Sequence, residues 1–249
     1  MQLLVSVRSA EEATAALAGG ADVIDAKDPA QGALGAVSRA ALRAIDRVVP
    51  ADVPLSVALG EAASAREAEA RVAALTLRAR PAPLYVKLAC AGCADGDQRY
   101  LTHILAAAVR VARELPASPR LIAAAYVDAS DGSRATDALV DAAAAAGTAG
   151  VLLDTARKDG RSLLDWRNLR ELRRWVARAH AAGLLAALAG SLRAEHVPVL
   201  AAVHADVFGV RGAACDGGRR GTLSGPRVRA LRSLLDAVEP PPGPRAHIG

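Results

Sequence analysis

Three lysines stand in this chain, Lys27, Lys87 and Lys158, within a total of 31 lysine and arginine residues. Arginine occupies every other position where a generic positive charge would serve, so the places where lysine persists ask for an amine. A guanidinium stays protonated and does not form imines in practice. A lysine amine that is desolvated, or set beside another cation, can lose its proton and attack a carbonyl. Three lysines converging on one pocket would depress one another's pKa. Two carboxylates travel with them. In VIDAKDP, Asp25 and Lys27 are two residues apart, so an extended strand carries both on one face. In VLLDTARKDG, Asp154 closes an apolar run and Lys158 follows on a loop. A carboxylate beside an amine can hold it as ammonium, or relay protons during imine formation and enolisation. The competing readings are plain salt bridges for the pairs, and an accident of composition for the rare lysines.

These side chains need elements to position them. Eight short apolar runs recur along the 249 residues: 3–7, 22–26, 54–59, 84–88, 121–127, 150–153, 184–189 and 206–210. Each is too short for a stable helix and is bounded by Gly, Pro or polar residues, which marks strands. Between them lie stretches with helical patterning at about 9–18, 38–48, 64–79, 98–114, 134–146, 167–182, 192–203 and 225–238. The first opens on Ser9 with Glu12 at its third position, the signature of a capping box. Strand and helix alternate eight times with no linker. That favours one closed (β/α)₈ TIM barrel of α/β class over a doubly wound open sheet. The barrel is expected over 1–238, with 239–249 (EPPPGPRAHIG) a Pro/Gly-rich tail that frays. Hydrophobic residues make up 52% but aromatics only 2%, so the core must be built from Ala, Val, Leu and Ile. The lysines fall at or just after the ends of the second, fourth and sixth runs, the face where such barrels place their chemistry. Tyr126 and Asp128, at the end of the fifth run, are further candidates for that mouth.

The loops after the seventh and eighth runs carry Gly190-Ser191 and Gly209, Arg211 and Gly212. Barrels often bind phosphate there through backbone N–H groups, and an arginine offers a bidentate fork. Arg219 or Arg220 in GGRRG could add a contact, or sit in an exposed loop. Other signals are weaker. Cys90 and Cys93 have CxxC spacing but no second pair, so neither a metal nor a redox pair is expected. The histidines at 103, 180, 196, 204 and 247 fall mostly on helices or the tail and read as surface or packing residues. No cofactor motif appears. The net charge of +5 comes from dispersed arginines, which speak against nucleic-acid binding. No run is long enough to span a membrane, no signal peptide is visible, and three cysteines form no disulfide framework. A reducing cytoplasm and a homo-oligomer of open order are expected.

The segments LLVSV, GGADVIDAKDPAQGALGA, YVKLA, YVDA, LLDTARKDGRSLLD, LAGSL and GVRGAAC together resemble the (5-formylfuran-3-yl)methyl phosphate synthase family, also called 4-(hydroxymethyl)-2-furancarboxaldehyde-phosphate synthase. The likeness runs from residue 1 to about 238. It implies a lyase of methanofuran-type cofactor biosynthesis that condenses two glyceraldehyde 3-phosphate molecules, one isomerising first, with loss of phosphate and water. It also implies that Lys27 forms the Schiff base and that Lys87, Lys158, Asp25 and Asp154 assist. The same five residues follow from the lysine pattern. The stretch 61–83 looks short and Ala/Arg-rich for the family, and the loop with Cys90 and Cys93 is unusual. Two alternatives stay open: a Schiff-base aldolase acting on another pair of phosphorylated aldehydes, and a non-catalytic, nucleic-acid-associated protein.

Overall fold

The computed structural model describes residues 1–91, 97–129 and 132–238. Eight parallel strands, β1 (Gln2–Val7), β2 (Val23–Ala26), β3 (Leu55–Ala62), β4 (Leu84–Cys90), β5 (Arg120–Tyr126), β6 (Gly150–Asp154), β7 (Leu185–Leu188) and β8 (Val207–Val210), pair in chain order. β8 returns to β1, with Leu3 opposite Phe208, and closes the barrel. Helices α1 (Ala10–Ala18), α2 (Arg39–Val48), α3 (Ala65–Ala73), α4 (Gln98–Glu114), α5 (Gly132–Ala146), α6 (Leu169–Ala181), α7 (Val197–Ala201) and α8 (Gly225–Val238) follow the strands in turn. This is the (β/α)₈ TIM barrel that the alternation predicts.

Strand residues alternate between two apolar environments, as the two-residue period requires. Leu3, Val5, Val7, Ile24, Val86, Leu88 and Phe208 point outward and lie buried under the helices. The inward positions form a separate cluster that includes Ala58, Ala89, Ile122, Ala124, Leu152 and Ala189. Bulky branched side chains fill most barrels of this kind. Here many inward positions are Ala, Ser or Gly, and a cavity of about 660 Å³ runs through the interior. It extends from Gln2, Val23 and Tyr85 near the strand starts to Lys158, Ser191 and Arg219 beyond the strand ends. The scarcity of aromatic residues is thus part of how the fold makes room for a ligand.

Two helices depart from the expected bounds. The helix expected over 64–79 stops at Ala73. The residues after it are held by Arg78 and Arg80, whose guanidinium groups both reach Asp46 on α2 and donate to carbonyls at the end of that helix and in the turn beyond it. The helix expected over 192–203 shrinks to α7, preceded by one 3₁₀ turn at Ala194–His196. Pro198 explains this, because it lacks an N–H and fits only the first turn of a helix. A short hairpin, β9 (Cys215–Asp216) with β10 (Thr222–Leu223), was read from the sequence only as a glycine-rich loop. At α1, Ser9 caps Glu12 N–H at 3.3 Å as expected. The Glu12 carboxylate, however, accepts from Arg8 N–H and from Arg211 rather than completing the capping box. The 239–249 tail, with His247, and Cys93 lie outside the described residues.

Candidate active site

Lys27 is the first residue past β2. Its N–H donates to Val7 O at 2.9 Å, extending the ladder by one step and fixing the side chain inward, in register with Asp25. Lys87 lies in the middle of β4 rather than at its end, because that strand runs two residues further than its apolar run suggests. Its amine therefore sits deeper in the barrel than the sequence implies. Asp154 ends β6, and Lys158 reaches back to it from the following loop. All three lysines and Asp154 line this cavity, with Asp25 buried beside them.

The pairings differ from those suggested by sequence proximity. Asp25 is paired with Lys87, its Oδ1 at 2.6 Å from Nζ, and its Oδ2 accepts from the Ser6 hydroxyl at 2.7 Å. Lys27 lies 3.8 Å from Asp154 Oδ2, across the barrel. Lys158 donates to Asp154 Oδ1 at 2.8 Å and to Thr155 Oγ1 at 3.0 Å. Asp154 thus stands between two amines. Asp25 and Lys27 share a face, as the spacing requires, but the ion pair that forms is the one closed by the barrel.

Burial tends to raise both carboxyls. For Asp25 the nearby Lys87 and Lys27 charges outweigh that tendency, and for Asp154 those of Lys158 and Lys27 do. Both are therefore held below the ordinary carboxylate range. Burial lowers Lys87 and Lys158, and their carboxylate partners only partly oppose it. A testable pH dependence follows for Lys158. A folded-state pKa below the unfolded value means that the unfolded chain binds the proton more tightly, so this lysine costs stability at neutral pH. The cost fades as pH rises toward the ordinary lysine value of about 10.4. Denaturant unfolding of the wild type and of Lys158→Met should therefore show the stability difference shifting toward the wild type between about pH 7 and pH 10. A difference that is flat, or moves the other way, contradicts the assignment.

Gly190, Ser191, Gly209 and Gly212 also line the cavity, as the loop reading expects. Gly190 has φ +103, and a Cβ there would lie 3.1 Å from Thr155 Cγ2 and 3.2 Å from Thr155 N. Glycine lets this loop press against the one that carries Lys158. Ser191 adopts φ +51, a left-handed conformation that costs a non-glycine residue about 1–2 kcal/mol. Strain of this kind gathers at ligand clamps. Arg211 is placed differently. Its fork grips Glu12, at 2.6 and 3.0 Å, and it also donates to the carbonyls of Ser6, Arg219 and Gly221. Its guanidinium braces the loop after β8 rather than standing free for a phosphate, because the buried Glu12 carboxylate claims it.

Tyr126 and Asp128 are not among the residues lining the cavity. Tyr126 packs against the inner apolar cluster; burial, then the Glu61 and Asp154 charges, push its hydroxyl above the usual phenol range. Asp128 accepts from Ala156 N–H and Arg157 N–H, each at 2.7 Å, and so shapes the β6 loop. Sequence reasoning missed Ser6 and Ser56. Ser6 orients Asp25, and Ser56 brings to the cavity a buried hydroxyl without a hydrogen-bond partner among the described residues. A serine at an inward position of an apolar run was the available signal. Among the described residues no cluster of His, Cys, Asp and Glu is suited to a metal, and no helix is long and apolar enough to cross a membrane.

The family model described as 4-HFC-P synthase matches residues 3–232. A (5-formylfuran-3-yl)methyl phosphate synthase from Methanocaldococcus jannaschii is 36% identical over 94% of this chain and 99% of its own length. Another with that name, from Methanothermobacter thermautotrophicus, is 35% identical over 95% of this chain and 100% of its own. Among solved structures, phosphoribosyl anthranilate isomerase from Thermus thermophilus superposes with a TM-score of 0.63 at 17% identity, over 96% of this chain and 100% of that one. For 3-hexulose-6-phosphate synthase from Salmonella typhimurium the TM-score is 0.58 at 16% identity, over 96% and 100%. These two likenesses concern the fold alone.

Proposed function

The chain belongs to the 4-HFC-P synthase family, and from that premise we propose that it condenses two glyceraldehyde 3-phosphate molecules into (5-formylfuran-3-yl)methyl phosphate, with Lys27 as the imine-forming amine. The observation that carries this reading is the meeting of the chain's three lysines in one cavity with two buried carboxylates.

One triose first isomerises to a dihydroxyacetone-phosphate-like ketone. Lys27 Nζ attacks its carbonyl carbon, and the carbinolamine expels water to give the imine. The protonated imine makes that central carbon electrophilic. The second triose loses the proton beside its aldehyde and expels phosphate from the neighbouring carbon, which leaves the enol of an α-keto aldehyde. The terminal carbon of that enol bonds to the imine carbon, whose electron pair passes to nitrogen. The free hydroxyl of the first triose then closes on the ketone, and elimination of water and of the Lys27 amine gives the aromatic furan. Two C3 units become one C6 furan phosphate, one inorganic phosphate and water, with no external oxidant or reductant.

Asp154, between Lys27 and Lys158, is suited to take and return protons at the imine. The Lys87–Asp25 pair supplies a second donor and acceptor deeper in the barrel. The loops bearing Gly190, Ser191, Gly209 and Gly212 are suited to hold a phosphate through backbone N–H groups. The furan phosphate then serves a methanofuran-type cofactor. The test is turnover with glyceraldehyde 3-phosphate as sole substrate. The expected result is a furan-aldehyde chromophore appearing together with free phosphate. A stable C6 sugar bisphosphate without either would mark an aldolase instead, and unchanged substrate would overturn the reading.

A further inference from the structure

We propose that Arg219 grips the phosphate of the second aldehyde, the one not bonded to Lys27, and so makes the enzyme selective for a phosphorylated partner in the condensation. The inference rests on the two-triose reading above and adds a specificity-determining residue to it.

The observation behind it is a difference among the arginines that line the cavity. Arg193 is paired with Glu195 at 2.7 Å, Arg211 with Glu12 at 2.6 Å and Arg227 with Asp216 at 2.5 Å. Arg219 alone of these four makes no ion pair among the described residues. Its guanidinium donates to two carbonyls, Pro29 O at 3.1 Å and Gly32 O at 2.7 Å. Carbonyl dipoles orient a guanidinium without cancelling its charge, and they occupy two of its five N–H groups. What remains is a half-buried guanidinium with no carboxylate partner and with donors to spare, at the wall of a cavity whose lysines are each paired with a carboxylate. Its own backbone is anchored, because the Arg219 carbonyl accepts from Arg211 Nε at 3.0 Å.

The location adds a second argument. Arg219 sits on the β9–β10 hairpin, and its two carbonyl partners belong to the loop that starts directly after Lys27. The side chain thus ties the β8 loop to the β2 loop across the mouth. The residues proposed above to cradle a phosphate, Gly190, Ser191, Gly209 and Gly212, follow β7 and β8, whereas the Arg219 guanidinium is turned toward the β2 loop. A condensation of two phosphorylated trioses needs two anion sites facing one reacting centre. A planar, fixed fork suits a phosphate better than a mobile ammonium does.

The experiment compares wild type, Arg219→Ala and Arg219→Gln. Gln keeps donors for the Pro29 and Gly32 carbonyls but removes the charge. Two readouts are taken on each: the KM for glyceraldehyde 3-phosphate in furan formation, and the triose-phosphate concentration giving half-maximal borohydride trapping at Lys27. Both variants are expected to raise the KM about 10- to 100-fold, the loss of one charged hydrogen-bonding contact, with half-maximal trapping unchanged within about twofold. When dihydroxyacetone phosphate is paired with unphosphorylated glyceraldehyde, carbon–carbon bond formation should be equally slow in all three proteins. An unchanged KM with normal trapping overturns the role of Arg219 alone. Loss in Arg219→Ala but not in Arg219→Gln makes the residue a latch and overturns the phosphate contact, as does equal loss with unphosphorylated glyceraldehyde. Absence of trapping in the wild type overturns the reading of the site on which the inference rests.

Discussion

Lys27→Arg should fold into the same barrel yet lose turnover by a factor on the order of 10⁴ or more, the scale seen when a covalent nucleophile is removed. The substitution keeps a positive charge at residue 27, whose lysine lies 3.8 Å from Asp154, so that carboxylate retains compensation from both sides. The open cavity beside residue 27 gives the larger head group room. What disappears is the amine, and a guanidinium cannot replace it as a nucleophile. Circular dichroism and unfolding midpoints near those of the wild type, with no furan formed, are the expected outcome. Substantial furan formation by the variant would mean that the charge at 27 matters and the amine does not.

The largest stability effect is expected at the Lys87–Asp25 pair. Both groups are buried, with Asp25 fully inaccessible to solvent. Lys87→Met leaves the Asp25 carboxylate with the Ser6 hydroxyl and a more distant Lys27 in place of a direct partner. Breaking one side of a buried ion pair costs about 3–5 kcal/mol, a large part of the roughly 5–15 kcal/mol that holds a typical protein folded. Adding Asp25→Asn removes the orphaned charge while keeping an acceptor for Ser6. The double variant should recover most of the loss, because replacing a whole buried pair is often neutral or better. Activity should stay absent in both, which would separate what the pair does for stability from what it does for chemistry. Equal destabilisation in single and double variants would show that packing around Lys87, rather than the charge, carries the effect.

The strands were legible because barrel strands buried on both faces are short, apolar and sharply bounded, as in 121–127 and 206–210. The lysines were legible because arginine had replaced lysine elsewhere, which exposed the positions that need an amine. Contacts made by barrel closure were not legible. Asp25 meets Lys87 from β4 and Lys27 meets Asp154 from β6, although the sequence sets Asp25 beside Lys27. Period-2 alternation says which side chains face inward but not which of them meet across the interior. Arg211 was misjudged for a related reason. Its partner Glu12 is 199 residues away, at the start of α1, where its spacing from Ser9 read as a local cap. Pro198 was visible and should have shortened the seventh helix. The hairpin that carries Arg219 was hidden because strands of two residues have no periodicity to detect.

The central claim is that one amine, at position 27, bonds covalently to a triose carbonyl inside the barrel. The most direct measurement is borohydride reduction in the presence of glyceraldehyde 3-phosphate, followed by tryptic digestion and mass spectrometry. A reduced adduct on Lys27 blocks cleavage there and leaves residues 9–39 as one peptide, heavier by a triose phosphate less one oxygen atom. That peptide is the predicted result. An adduct on Lys87 or Lys158 instead, or full turnover with Lys27 unmodified, would contradict it.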